Sequence, residues 1–218
     1  MPGRFVTFEG GEGSGKSTQL ALLKARLDRL GLDPVVTREP GGTPVAEGIR
    51  DLLLDPERRP EPMAEAFLIE AARADLFAHR IAPALAADRI VLCDRHVDST
   101  LAYQGYGRGL DLDLLRAWST AATQGRIPDL TLLFDIDPAQ GIARRAAAGA
   151  SNRIDREPLD FHRRVREGFL AIARGAPDRV VVLDASMASD TIESRCWSVI
   201  EERLRVGQGL IDRPPSRT

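Results

Sequence analysis

Five short apolar runs punctuate this chain, and stretches with helical spacing lie between them. The runs are Arg4 to Glu9 (RFVTFE), Pro34 to Thr37 (PVVT), Arg89 to Asp94 (RIVLCD), Asp129 to Asp135 (DLTLLFD) and Arg179 to Asp184 (RVVVLD). Their length and β-branched content predict strands. After the first run, Leu20, Leu23, Leu27 and Leu30 recur at three- and four-residue steps. That spacing predicts a helix from Ser17 to Leu30 with one leucine face, ended by Gly31. Further helices are expected over Met63 to Asp88, Leu112 to Thr123, Leu159 to Arg174 and Ser189 to Arg205. Near-continuous apolar strands alternating with helices imply an α/β fold, a parallel sheet covered on both faces. Residues 1–206 read as one domain. The remainder, 207–218, has Gly, Pro and Arg without periodicity and is expected to be a disordered tail.

Composition narrows the function classes. The chain has 218 residues, 43% of them hydrophobic and 28% charged, enough for one substantial core. A formal net charge of −2 gives no electrostatic reason for binding polymeric nucleic acid. Cys93 and Cys196 lie far apart without metal-ligand spacing, and Cys93 falls inside an apolar run, which predicts burial. His79, His96 and His162 also lack ligand spacing. No apolar run reaches the ~20 residues needed to span a bilayer, and the chain enters a strand almost at once. A cytoplasmic protein is expected.

The strongest chemical signal follows the first strand. Gly10-Gly11-Glu12-Gly13-Ser14-Gly15-Lys16-Ser17 satisfies G-x-x-x-x-G-K-[ST] between a strand and a helix. Glycines let backbone N–H groups converge on a phosphate, and the helix start adds its positive end. Lys16 can reach the β- and γ-phosphates, the Ser17 hydroxyl can ligate Mg²⁺, and Thr18 is a candidate α-phosphate contact. A turn that merely caps a helix would not require that lysine and hydroxyl. Nucleoside triphosphate binding is therefore expected.

The loop alone does not choose a reaction. A GTPase would need an N-K-x-D guanine reader, which the sequence lacks. A kinase acting on a small anion needs a second phosphate site, for which arginine is best shaped. Arg38 follows the second strand and Arg95 the third, the ends where ligands bind in open α/β sheets. Arg73 lies on the helix between them.

At these residues the chain resembles bacterial thymidylate kinases, over most of its length from Phe5 to about Leu204. The likeness rests on FEGGEGSGKSTQ (Phe8 to Gln19), TREPGGT (Thr37 to Thr43), AARADL (Ala71 to Leu76), DRHVDSTLAYQGYGRGL (Asp94 to Leu110), PDLTLLFDID (Pro128 to Asp137) and NRID (Asn152 to Asp155). It implies a P-loop NTPase three-layer sandwich with a five-stranded parallel sheet and a helical lid at about 141–158. It also implies ATP- and Mg²⁺-dependent phosphorylation of dTMP to dTDP, a step of dTTP synthesis, by a homodimer. The apolar helix face from Met63 to Leu85 is a candidate interface.

The resemblance assigns roles residue by residue. Glu9 and Asp94 would join Ser17 around Mg²⁺, Glu9 beside the transferring phosphoryl. Arg38 and Arg95 would clamp the acceptor phosphate. Arg73 would bond the O4 edge of thymine and Thr100 its N3, with Ser99 adjacent. Tyr103 would lie against the deoxyribose, and Gln104 would line the same pocket. Family members usually carry Phe where this chain has Ile69, so Ile69 would cover the base without stacking. Among the basic residues Arg144, Arg145, Arg153 and Arg156, the lid arginine matches Arg153, and the loop from Gly11 to Ser14 has no arginine of its own. Catalysis would then fall to Lys16, Arg153, Arg95 and Glu9, and adenine would sit near Asp184 to Met187. Two other readings use the same residues: a kinase for another or several deoxynucleoside monophosphates, and a nucleotide-binding regulator without turnover.

Overall fold

The computed structural model describes residues 3–149 and 152–204, so the expected tail at 207–218 lies outside the described residues. All five expected strands form: β1 (Arg4–Gly10), β2 (Val35–Arg38), β3 (Ile90–Asp94), β4 (Leu130–Asp135) and β5 (Val180–Asp184). They pair in parallel throughout, in the order β2-β3-β1-β4-β5. β1 is central, with Val6 level with Leu92 on one side and Leu130 on the other.

The pleat divides β1 between two cores, because successive side chains point to opposite faces. Val6 and Phe8 meet Leu20, Leu23 and Leu27 of α1 (Lys16–Arg29), together with Ile192, Cys196 and Ile200 of α9 (Ser189–Leu204). On the opposite face Phe5, Val91 and Cys93 pack on Leu76, Phe77 and Ile81, while Leu133 and Val180 pack on Phe161, Val165 and Phe169 of α8 (Leu159–Gly175). Cys93 is fully buried, as expected. Three layers result.

Three departures from the sequence reading have local causes. Leu30 does not join the leucine face; it is 37% exposed. Gly31, at φ 73°, turns the chain out of the helix, its N–H bonding Asp28 O at 2.9 Å and that of Leu32 bonding Leu27 O at 3.0 Å. This closes a Schellman motif and swings Leu32 onto the core in place of Leu30. The expected helix from Met63 to Asp88 is not continuous. It comprises α3 (Pro62–Leu76), a π-helical turn at Phe77–Ile81 and α4 (Ala82–Ala86). Pro83 has no N–H to give the preceding turn, and the widened turn stands where that bond would be.

Hydrophobic spacing marks neither helix α2 (Pro44–Leu54) nor the start of α7 (Pro138–Ala147), whose remainder falls in the segment expected as a helical lid. Each begins with a capping residue followed by proline: Thr43 Oγ1 accepts from Ala46 N, and Asp137 Oδ1 from Ala139 N and Gln140 N. That pairing is itself a helix-start signal. A short helix α5 (Val97–Thr100), running into a π-helical Leu101–Gly107, precedes α6 (Leu112–Ala122).

Candidate active site

The C-terminal ends of β1, β2 and β3 open into a cavity of ≈ 430 Å³. The loop from Gly10 to Gly15 forms one wall, and its glycines are there for a reason of space. A Cβ on Gly13, at φ 68°, would come within 2.0 Å of Gly141 O on α7, and one on Gly141 within 2.2 Å of Glu12 O. Loop and helix therefore touch backbone to backbone. Lys16 reaches back over the loop, its ammonium donating to Gly10 O at 3.0 Å, Gly11 O at 2.8 Å and Ser14 Oγ at 3.1 Å. Burial, reinforced by the charge of Arg95, pulls the Lys16 pKa down to about 8 against the opposing carboxylates. Ser17 Oγ donates to Asp94 Oδ2 at 2.7 Å. Hydroxyl and carboxylate oxygens of this kind suit Mg²⁺, which takes few protein ligands beside phosphate oxygens and water.

Arg95 faces the loop directly. Its backbone sits at φ 70°, held by an N–H bond to Phe8 O at 2.9 Å. Its guanidinium donates to Gly10 O at 2.9 Å, Ser99 Oγ at 3.2 Å and Glu12 Oε1 at 2.6 Å, and lies 4.9 Å from the Tyr103 ring centre. Arg38 lines the same cavity from the end of β2, more exposed, with Nη2 on both Glu47 carboxylate oxygens at 3.1 and 3.0 Å. Glu12 gathers charge: burial alone would raise its pKa, but Arg95, Lys16 and Arg145 hold it down to about 2. Tyr103 also donates to it, at 2.9 Å.

At the far end of the cavity Arg73 is 1% exposed, with its guanidinium on Glu39 Oε2 at 2.9 Å and Thr100 Oγ1 at 2.8 Å. Ile69, Ser99, Thr100, Tyr103 and Gln104 line that end with it. Glu65, buried on α3, accepts from Gln104 at 2.7 Å and from Arg153 at 2.6 Å.

Most of the expected residues thus converge, and the exceptions are informative. Glu9 does not reach the cavity. It is completely buried behind it, accepting from the His96 N–H at 2.7 Å and Ser99 Oγ at 2.5 Å. Burial, and then Asp98, push its pKa up to about 8. Gly10, Gly11 and Ser14 form the loop without lining the cavity, whereas Glu12, Gly13, Gly15, Lys16, Ser17 and Thr18 line it. Arg153 lines the cavity, but its guanidinium is docked on Glu65 and on Leu53 O at 2.9 Å. Within the segment expected as a lid, Arg145 lies 3.7 Å from Glu12 Oε2 and is bonded to Asp155 Oδ2 at 2.7 Å. Ala185 O accepts from Arg144, so the segment expected near adenine borders α7. Sequence reasoning missed the carboxylates Glu39, Glu65 and Glu70. Only Glu39, inside TREPGGT, carried any signal.

A family model described as Thymidylate kinase matches residues 8–195. The chain belongs to the thymidylate kinase family. It is 49% identical over 201 residues to a thymidylate kinase from Deinococcus radiodurans, covering 92% of this chain and 98% of that protein. It is 51% identical over 206 residues to one from Thermomicrobium roseum, covering 94% and 97%. The crystal structure of thymidylate kinase from Ehrlichia chaffeensis superposes with a TM-score of 0.75 at 33% identity, over 92% of this chain and 99% of that one. Membership carries the activity: transfer of a phosphoryl group from ATP to dTMP, with Mg²⁺. Among the described residues no helix is long and apolar enough to cross a membrane.

Proposed function

We propose that this thymidylate kinase aligns its two nucleotides across the cavity between the glycine loop and Arg95. The observation that carries this reading is the bond from the Arg95 guanidinium to the Gly10 carbonyl, which sets two anion sites face to face. ATP phosphates would lie along Gly10 to Thr18. Ser17 and Asp94 would hold Mg²⁺, which neutralises charge on the phosphate oxygens. Arg95 and Arg38 would hold the dTMP phosphate, Arg38 after exchanging Glu47 for it. Because the acceptor is already an anionic nucleophile, no strong general base is needed. One of its oxygens forms the new bond to the γ-phosphorus as the bridging oxygen leaves with ADP. Lys16 and a lid arginine would meet the charge that spreads over the γ-phosphoryl oxygens.

Arg73 and Thr100 would read thymine, with Ile69 over the base and Tyr103 and Gln104 beside the sugar. From behind, Glu9 would steady Ser99 and through it Arg95. We place Arg153 on the transferring phosphoryl once it leaves Glu65. A coupled assay of ATP consumption with dTMP tests the assignment. Lys16→Ala is expected to lower kcat about 10³-fold, and full turnover in that variant would remove the loop from the mechanism.

Ile69 favours a second reading, tolerance of several monophosphates, because an apolar side chain covers any base. Competition among nucleoside monophosphates separates the two. A homodimer goes with this function. Met63, Phe67 and Leu114 are exposed, and the Phe67 and Trp118 rings lie 4.5 Å apart across α3 and α6, offering an apolar face for a second copy. Mass measurement in solution tests it, a monomer overturning it. Both nucleotides belong to the cytoplasmic pool, and we place the protein there.

A further inference from the structure

Arg73 makes more bonds than its position requires, and the surplus points away from the cavity. A guanidinium has five N–H donors. In Arg73 Nε–H goes to Glu39 Oε2 at 2.9 Å, the two Nη1 hydrogens face Glu70 Oε1 at 2.5 Å and Ser119 Oγ at 3.2 Å, and Nη2 gives one to Thr100 Oγ1 at 2.8 Å. A single Nη2 hydrogen is left for the cavity that Arg73 lines. Ser119 Oγ in turn donates to Glu70 Oε1 at 2.7 Å, closing a three-membered ring of bonds. Glu70 and Ser119 are both buried, on α3 and α6, and neither lines the cavity.

Thr100 cannot tell the pyrimidines apart. Having accepted from Arg73, its hydroxyl keeps one hydrogen and one lone pair, so it can rotate to meet either a ring N3–H or a bare ring N3. Discrimination at position 4 must then come from Arg73, whose one free N–H donates to an oxo group and opposes an amino group. That opposition holds only while the guanidinium cannot turn aside. Glu39 holds it at Nε and the Thr100 hydroxyl, itself free to rotate, at Nη2; the bonds at Nη1 fix the remaining end.

We propose that Glu70 and Ser119 are positioning residues for base selectivity: they lock Arg73 so that it admits a 4-oxo pyrimidine monophosphate and refuses a 4-amino one. The proposal rests on the placement of Arg73 at the base edge given above. It differs from a purely structural role, which would change stability and leave the choice of substrate alone.

The test compares kcat and KM for dTMP and dCMP in the full-length enzyme and its variants. Glu70→Ala is expected to lower the dTMP:dCMP ratio of kcat/KM about tenfold or more, acting through KM for dTMP with little change in kcat. Ser119→Ala, which removes one oxygen, is expected to lower the ratio about threefold. Glu70→Gln keeps an acceptor oxygen and is expected to hold the ratio within about twofold of wild type. If Glu70→Ala does not fold, Ser119→Ala decides. Reduced melting temperatures with an unchanged ratio overturn the proposal. Arg73→Lys separates the two levels. Loss of selectivity there but not in the Glu70 and Ser119 variants sinks the lock alone, and unchanged selectivity there sinks the base-edge placement beneath it.

Discussion

The two ends of the cavity are built from different materials. The end proposed for the phosphates is backbone: the five residues Gly11–Gly15 between β1 and α1, pressed against α7 where Gly13 meets Gly141. The end proposed for the base is side chain: Glu39 after β2, Glu70 and Arg73 on α3, Thr100 on α5 and Ser119 on α6, joined by buried ion pairs and hydrogen bonds. A backbone cradle holds any polyphosphate and tolerates little change in shape. A side-chain pocket holds its shape only while every partner stays in place, and can be retuned one residue at a time.

Five substitutions probe that contrast. The largest effect is expected at the arginine proposed for the transferring phosphoryl. Arg153→Ala should lower kcat about 10³-fold, by analogy with other arginines that complete phosphoryl-transfer sites. Near-normal turnover in that variant, with a crippled Arg145→Ala, would transfer the role to Arg145, which already lies beside Glu12. Gly13→Ala comes next. Its methyl cannot fit against the Gly141 carbonyl, so KM for ATP should rise about 100-fold or the melting temperature should drop by several degrees. An unaffected variant would mean that loop and α7 are free to separate.

Glu9 sharpens the comparison from behind the site. Its pKa rises from 4.5 in the unfolded chain to about 8 in the folded one. The folded protein therefore holds a proton that the unfolded chain has lost, and the resulting destabilisation grows from pH 4.5 to about 8, then levels off. Glu9→Gln should melt higher than wild type at pH 8, the gap closing towards pH 4.5; a gap independent of pH would refute buried protonation. The smallest effect is expected at the adaptable end. Ile69→Phe adds a stacking ring and should lower KM for dTMP about threefold, and no improvement would show that apolar cover suffices.

The same contrast explains what could be read from the sequence. Contiguous features were legible: five strands from five apolar runs, the loop from its spacing, and Arg38 and Arg95 from their places at strand ends. Features assembled across the chain were not. The Glu65–Arg153 bond joins residues 88 positions apart and the Arg73–Ser119 bond residues 46 apart, and no local pattern marks either. Glu9 enters the expected Mg²⁺ set by resemblance, which says nothing of the face its side chain takes. The strand pleat turned it to the face where Asp98 and Ser99 enclose it.

The contact of Gly13 with Gly141 has a mechanical consequence. Two chains meeting without side chains have nothing compressible between them, so that point works as a fulcrum rather than a cushion. Arg145 lies one helical turn beyond it, about 6 Å along α7. The lever arm is short, so a small tilt of the helix moves the Arg145 charge only a little.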